Sequence, residues 1–421
     1  MEATRAKTKS PRKRRRIRRK RSPSKCAVFL CPIQHSHHPV DHPTLTPFLD
    51  LVFEMSIHRD KDGSEGGSDD DEEENGDESG GGDEAPAVDL SAFTAPKAEK
   101  VHVELFEAEE AAVPSENARM FGDVTDANLK KACKKMYKLL NLDPWNEKTR
   151  YDDDDTCDFL IDNPEVCGIK YEFEGFSGRI YPLSMLCALG ASKDAVELAF
   201  DAFPPALKET DLWVGTPLHY AAAYQAPHDV VEYLIQKDPK GVESTNYYGR
   251  LPLHMGALFK ASEKSMTHLL KAFPKGAQVK DKEGYTALHL ACENGADSGV
   301  IKALVQTFPD AVHATAQYDM TPLHFACSSQ ANPEVIKVLL VEGDTAICRL
   351  TDMLGHTPLH MALMGLASYE VVELLVASAP DTVIAKTQKG ELPLEIAQRK
   401  RAPGEVLELL EKMIEKLLSG E

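Results

Sequence analysis

Five histidines, His219, His254, His289, His324 and His360, recur at intervals of 35 or 36 residues, and imidazole is the commonest side-chain ligand for a transition metal. Whether they share a metal depends on how near the chain brings them to one another. A second set of metal-type residues, Cys26, Cys31, His35, His37, His38 and His42, fits no compact zinc module and has no apolar run beside it to build one. Asp152–Asp155 places four carboxylates in a row. The run lacks the glycine and closing glutamate of a calcium loop and reads as a charged loop. There is no Gly-rich phosphate loop, no Gly-x-Ser-x-Gly, no His-Glu-x-x-His and no kinase signature set. Catalytic, metal and cofactor sites are accordingly assigned to none of the residues, and the chain is read as not an enzyme.

Near the start, Lys13, Arg14, Arg15, Arg16, Arg18, Arg19, Lys20 and Arg21 make eight basic residues in a stretch of nine. Such a run suits a nuclear import receptor or the phosphates of RNA or DNA. An organelle transit peptide is the minor alternative, because a solid basic run is poorly amphipathic, and a tail without a role is the plain one. Ser68-Asp69-Asp70-Asp71 resembles an acidophilic kinase substrate, although a solvated spacer explains the same residues.

The 421 residues carry a net charge of −19, distributed in blocks. Residues 1–25 hold 13 Lys/Arg against one acid, and residues 60–84 hold 13 Asp/Glu against one Lys, so these blocks cancel. The folded remainder is therefore acidic, which argues against nucleic acid as its partner. The nine cysteines are dispersed and odd in number, which fits a reducing compartment, nuclear or cytoplasmic, better than a disulfide framework. No apolar run reaches 18 residues, so no membrane span is expected.

Composition divides the chain. Residues 1–48 read as a basic disordered tail and 49–114 as an acidic, Gly/Ser-rich disordered segment. Residues 115–167 recover helical character: Asp126 is placed to cap a helix over 127–140. From 168 to 402 the chain is periodic. Thr216-Pro217-Leu218-His219 returns at 251–254, 286–289, 321–324 and 357–360, with weaker copies at 392–395 and 181–184. The second position falls at 182, 217, 252, 287, 322, 358 and 393, about seven repeats in register.

Each unit has a physical reading. Threonine offers a cap to the first free amides of a helix, and proline in the first turn sacrifices no hydrogen bond. Small residues behind the histidine, such as Ala221 and Ala222, allow close helix packing. Apolar pairs such as Val230, Val231, Leu234 and Ile235 mark a second, amphipathic helix. Residues 403–421 repeat that pattern and read as a C-terminal capping helix. Stacked helices lie about 10 Å apart, too far for successive histidines to share a metal. The row is better read as histidines hydrogen-bonding neighbouring turns.

The pattern Asp-x-x-Gly-x-Thr-Pro-Leu-His resembles the ankyrin repeat, most closely in the units beginning at Asp211, Asp281 and Asp352. Asp319 and Val214 stand where that pattern has glycine, and Glu395 replaces the last histidine. The resemblance implies an all-α solenoid of helix–turn–helix units with β-turn fingers and a concave face; composition places a disordered N-terminal tail before it. It also implies a protein–protein interaction adaptor or scaffold that binds partners through fingers and concave face. Carried onto this chain, the usual contact positions are Trp213, Tyr247, Tyr248, Tyr285, Tyr318, Met320, Met353 and Leu354 on the fingers, with Tyr224 and Phe259 on the helix side. The alternative is a nuclear regulator whose basic tail touches DNA or RNA while the repeats recruit a protein.

Overall fold

The computed structural model describes residues 120, 122, 124–176, 178–211 and 213–419, all within one compact unit of the chain, Val103–Glu421. The segments 1–48 and 49–114, with the basic run Lys13–Arg21, lie outside the described residues.

The expected first helix is present as α1, Ala127–Leu140, with the Asp126 carboxylate accepting from the Leu129 amide at 2.7 Å. The expectation of a loop over Asp152–Asp155 is corrected. Asp152 caps a second helix, α2 (Asp153–Asp162), accepting from the Asp155 amide at 2.9 Å, and Asp153, Asp154 and Asp155 form its first turn. Negative charge at that end meets the positive pole of the helix dipole, so the run that looks too charged for a helix favours one.

Seven helix pairs follow: α3 (Pro182–Leu189) with α4 (Lys193–Ala202), α5 (Pro217–Ala223) with α6 (His228–Lys237), α7 (Pro252–Leu258) with α8 (Glu263–Ala272), and α9 (Ala287–Glu293) with α10 (Ser298–Thr307). The last three are α11 (Pro322–Ser328) with α12 (Pro333–Gly343), α13 (Pro358–Met364) with α14 (Tyr369–Ser378), and α15 (Pro393–Arg399) with α16 (Gly404–Ser419). Six of the seven first helices begin with proline, where the lost N–H would be unpaired anyway. First helices stack on first helices and second on second, giving two layers. α1 continues the first layer against α3 and α2 continues the second against α4, so the extension closes the array's end as an atypical unit. α16 closes the other end against α14 and α15, burying Val406 and Leu410.

The first helices are short and almost wholly buried; in α5 all seven residues are. The second helices bury one stripe, Val230, Val231 and Leu234 in α6, each worth about 1.5–3 kcal/mol on burial. Fingers between units are closed by a backbone bond, such as Asp281 N–H to Tyr285 O at 2.8 Å and Asp352 N–H to His356 O at 3.0 Å. The Asp352 carboxylate also accepts from the Leu354 and His356 amides at 2.9 and 2.7 Å. Neighbouring fingers are joined by Lys282 N–H to Tyr248 O, Met353 N–H to Tyr318 O and Gln388 N–H to Leu354 O. Where Asp319 stands in place of glycine, Tyr318 and Asp319 both take left-handed backbone, at φ +59° and +58°.

Gly355 has φ +79°, and a Cβ there would lie 2.8 Å from the Gln388 amide nitrogen; Gly390 has φ +81° with nothing within 4 Å. Gly355→Ala is therefore expected to cost about 3 kcal/mol and Gly390→Ala about 1 kcal/mol. Urea denaturation of the two variants checks the order.

Candidate functional site

The row of histidines has a structural use. In each of the five units the amide at the helix cap donates to histidine Nδ1, at 3.1 Å for Thr216 to His219 and 3.2 Å for Thr321 to His324. An amide can only donate, so Nδ1 is the acceptor and Nε2 carries the proton. Nε2–H then donates across to a carbonyl beyond the histidine's own helix pair: His219 to Arg250 O, His254 to Val279 O, His289 to Ala314 O and His324 to His356 O, each at 3.0 Å. His360 makes the cap bonds, but its buried Nε2 finds no partner within hydrogen-bond geometry. Burial pushes all five imidazoles down to about 4, which keeps them neutral. In the last unit the Glu395 carboxylate takes over the cap, accepting from the Leu392 amide at 2.8 Å.

The finger tips carry a group of exposed aromatic and apolar residues. Trp213, Tyr247 and Tyr248 form one cluster, with ring centroids 5.3 Å apart for Trp213–Tyr247, 6.1 Å for Trp213–Tyr248 and 5.4 Å for Tyr247–Tyr248. The Lys282 ammonium lies 4.7 Å from the Tyr247 ring centre, and the Arg250 guanidinium 5.3 Å from that of Tyr248. Arg250 is itself buried, held by Asp281 at 2.9 Å and Glu283 at 3.1 Å, and so fixes the second finger to the third. On the fourth and fifth fingers, Tyr318, Met353 and Leu354 are exposed; Tyr247 and Met353 keep 57% and 50% of their surface in solvent.

Two expected contact residues are not on this surface. Tyr285 is 6% exposed and Met320 1%. Both occupy the position just before the helix cap, as Arg250 and His356 do, and all four are buried. That residue's carbonyl or amide closes the finger, which aims its side chain at the neighbouring units: the Tyr285 ring sits 5.5 Å from Phe325 and 6.2 Å from His289. The exposed finger residues consequently fall into two patches, separated at the third finger.

On the helix side, Tyr224 and Phe259 are half-buried, and a residue the repeat pattern does not reveal covers them. Trp145, from the turn between α1 and α2, places its ring 5.0 Å from Tyr224 and 5.5 Å from Phe259. A tryptophan in a Pro-Trp-Asn turn is the one signal in the sequence that marks it.

A half-buried carboxylate, Glu293, ends α9, raised to about 7 chiefly by burial. Among the described residues no group of three or more His, Cys, Asp or Glu is placed to hold a metal ion, and no helix is long and apolar enough to cross a membrane.

Two stacked layers of helix pairs, with a finger between successive units, define a helical repeat protein. Residues 255–347 match the family of ankyrin repeats (3 copies), and residues 215–246 and 354–387 each match the ankyrin repeat. The chain is an ankyrin-repeat protein. Among solved structures it is similar to the ankyrin repeat domain of Bcl-3, a member of the IκB protein family, at 22% identity over 56% of this chain and 99% of that one, with a TM-score of 0.44. No curated protein sequence matches it. Ankyrin repeats generally mediate contacts between proteins, and the fold is non-catalytic.

Proposed function

We propose that this protein is an adaptor or scaffold that captures a partner protein on its finger tips. The observation that carries the reading is the cluster of Trp213, Tyr247 and Tyr248 rings on neighbouring fingers, with Trp213 and Tyr247 in solvent and Tyr318, Met353 and Leu354 exposed on the fingers beyond. Trp and Tyr bury much area at low entropic cost, and such residues dominate binding energy where they gather. The exposed Lys282 ammonium beside the Tyr247 ring adds a cation suited to a partner that is partly acidic.

The test is retention of cellular proteins by the full chain and by W213A/Y247A. The double change is expected to cost about 2–3 kcal/mol of binding, roughly a 30- to 150-fold loss, with an unchanged melting temperature. Undiminished retention by a folded double variant overturns the reading.

Nuclear or cytoplasmic residence goes with this role, with Lys13–Arg21 as the segment an import receptor would read. The same run would supply the phosphate contacts of a nuclear regulator that touches DNA or RNA while the repeats recruit a protein. Residues 1–25 fused to a fluorescent reporter are expected to move it into the nucleus. A reporter that stays evenly distributed removes the import signal.

A further inference from the structure

The turn after α1 is seated on the repeats as a ligand would be. Its base is tied down: the Asn141 side-chain oxygen accepts from the Glu174 amide at 2.8 Å, and Leu142 and Pro144 are buried. Its tip is shaped by Asp143, which accepts from the Trp145 amide at 2.8 Å. From there two side chains reach over the ends of three successive first helices. The stem of Lys148 lies across Gly190, in the space a Cβ at that position would share with Lys148 Cε and Nζ. The Lys148 ammonium donates to the Tyr224 carbonyl at 3.0 Å. Trp145 lies against the rings of Tyr224 and Phe259. The corresponding positions in the next three units are Asn294, Ser329 and Gly365, so the aromatic platform ends where the turn ends.

The hold is incomplete. Trp145 keeps 53% of its surface in solvent although two aromatic rings lie beneath it. Lys148 is half-buried, and no carboxylate among the described residues lies within ion-pair distance of it. A charge withdrawn from water against a single carbonyl is poorly compensated, and desolvation lowers its pKa. A turn anchored at its base and weakly held at its tip is one that a better-fitting segment can displace. Its attachment to the chain gives it a high effective concentration, so it excludes weak competitors.

We infer that Gly190, Tyr224 and Phe259 form a second docking platform whose resting occupant is the chain's own Asp143–Lys148 turn, and whose external partner is a peptide segment bearing an aromatic residue three positions before a lysine. The platform is separate from the finger tips and does not depend on them.

A labelled peptide with the sequence of residues 140–151, titrated by fluorescence anisotropy into the full-length protein, tests this. It is expected to bind W145A saturably and at least tenfold more tightly than the wild type, whose platform is occupied. The same peptide with its tryptophan changed to alanine is expected not to bind. F259A added to W145A is expected to abolish the interaction. Equal affinity for wild type and W145A overturns the inference; so does no saturable binding to folded W145A, or binding that ignores the peptide's tryptophan. If W145A does not keep the wild-type helical signal, Trp145→Gln replaces it and is read in the same way. No finger residue enters the measurement, so its failure leaves the finger-tip reading standing, and the converse also holds.

Discussion

Between pH 6.5 and 4 the repeat array is expected to lose its stability steeply. His219, His254, His289, His324 and His360 are held at about 4 by burial, against about 6.5 in an unfolded chain. Above pH 6.5 both states are neutral at these sites and nothing is lost. As the pH falls below 6.5 the unfolded chain takes up protons that the folded one refuses, so folding is progressively disfavoured until about pH 4. Each site contributes about 1.4 kcal/mol per pH unit within that window, and five together set a limiting slope of roughly 7 kcal/mol per unit. Glu293 opposes this. With its folded pKa raised to about 7, it binds a proton more readily when folded, and gains stability as the pH falls from 7 toward the ordinary glutamate value. One carboxyl offsets about one histidine and leaves the sign unchanged. Asp352, where burial acts to raise the carboxyl but the bonds and charge of His356 and the Leu354 amide outweigh it and hold it below its ordinary range, adds a further loss at the acid end. Thermal melts at pH 7.5, 6.5, 5.5 and 4.5 read the effect directly. A melting temperature that stays level across that range would show that the imidazoles are not carried neutral into the core.

The second large effect separates two histidines that the sequence treats alike. His324 accepts from the Thr321 amide at 3.2 Å, is bonded to the Thr321 hydroxyl at 2.8 Å, and donates to the His356 carbonyl at 3.0 Å. His324→Ala strands a buried amide and a carbonyl in the next finger and leaves a void. A loss of about 4 kcal/mol is expected, the sum of two unsatisfied groups and the missing ring contacts. His360→Ala loses the cap bonds, at 3.1 and 2.8 Å, but its Nε2 has no partner to abandon. The Ala385 and Glu391 carbonyls stand close enough to make the ring more basic, yet outside hydrogen-bond geometry. The expected cost is about 2 kcal/mol, because only one side of the staple is cut. Urea denaturation of both variants gives the difference, and H360A costing as much as H324A would refute the cross-repeat bond as the source. Because each unit is stable only through its neighbours, H324A should also broaden the transition by uncoupling the fifth unit from the sixth.

The two halves of this protein's information are visible in particular residues. The interval between helix starts, the prolines that open them and the alternation of buried first helices with amphipathic second helices were all legible in the linear chain. These features act over one turn or one face: a cap oxygen, a fixed φ, a stripe of valine and leucine. The role of the histidines was legible for the same reason, since spacing alone ruled out a shared metal. Other features lay beyond that reach. Asp152–Asp155 looked like a loop until the carboxylates were seen to start α2. Tyr285 and Met320 looked like contact residues, because the pattern names a finger without saying which of its side chains turn inward. Their direction is decided by Phe325 and the adjoining units, tens of residues away in the chain. The seating of Trp145 on Tyr224 and Phe259 could not be read at all, since the turn has no period and its partners belong to later repeats. The unit and its period follow from forces that operate between near neighbours along the chain. Which tips face water, how the end of the array is closed and what covers its aromatic platform were decided only by stacking, because burial is a property of surfaces that meet after the chain has folded.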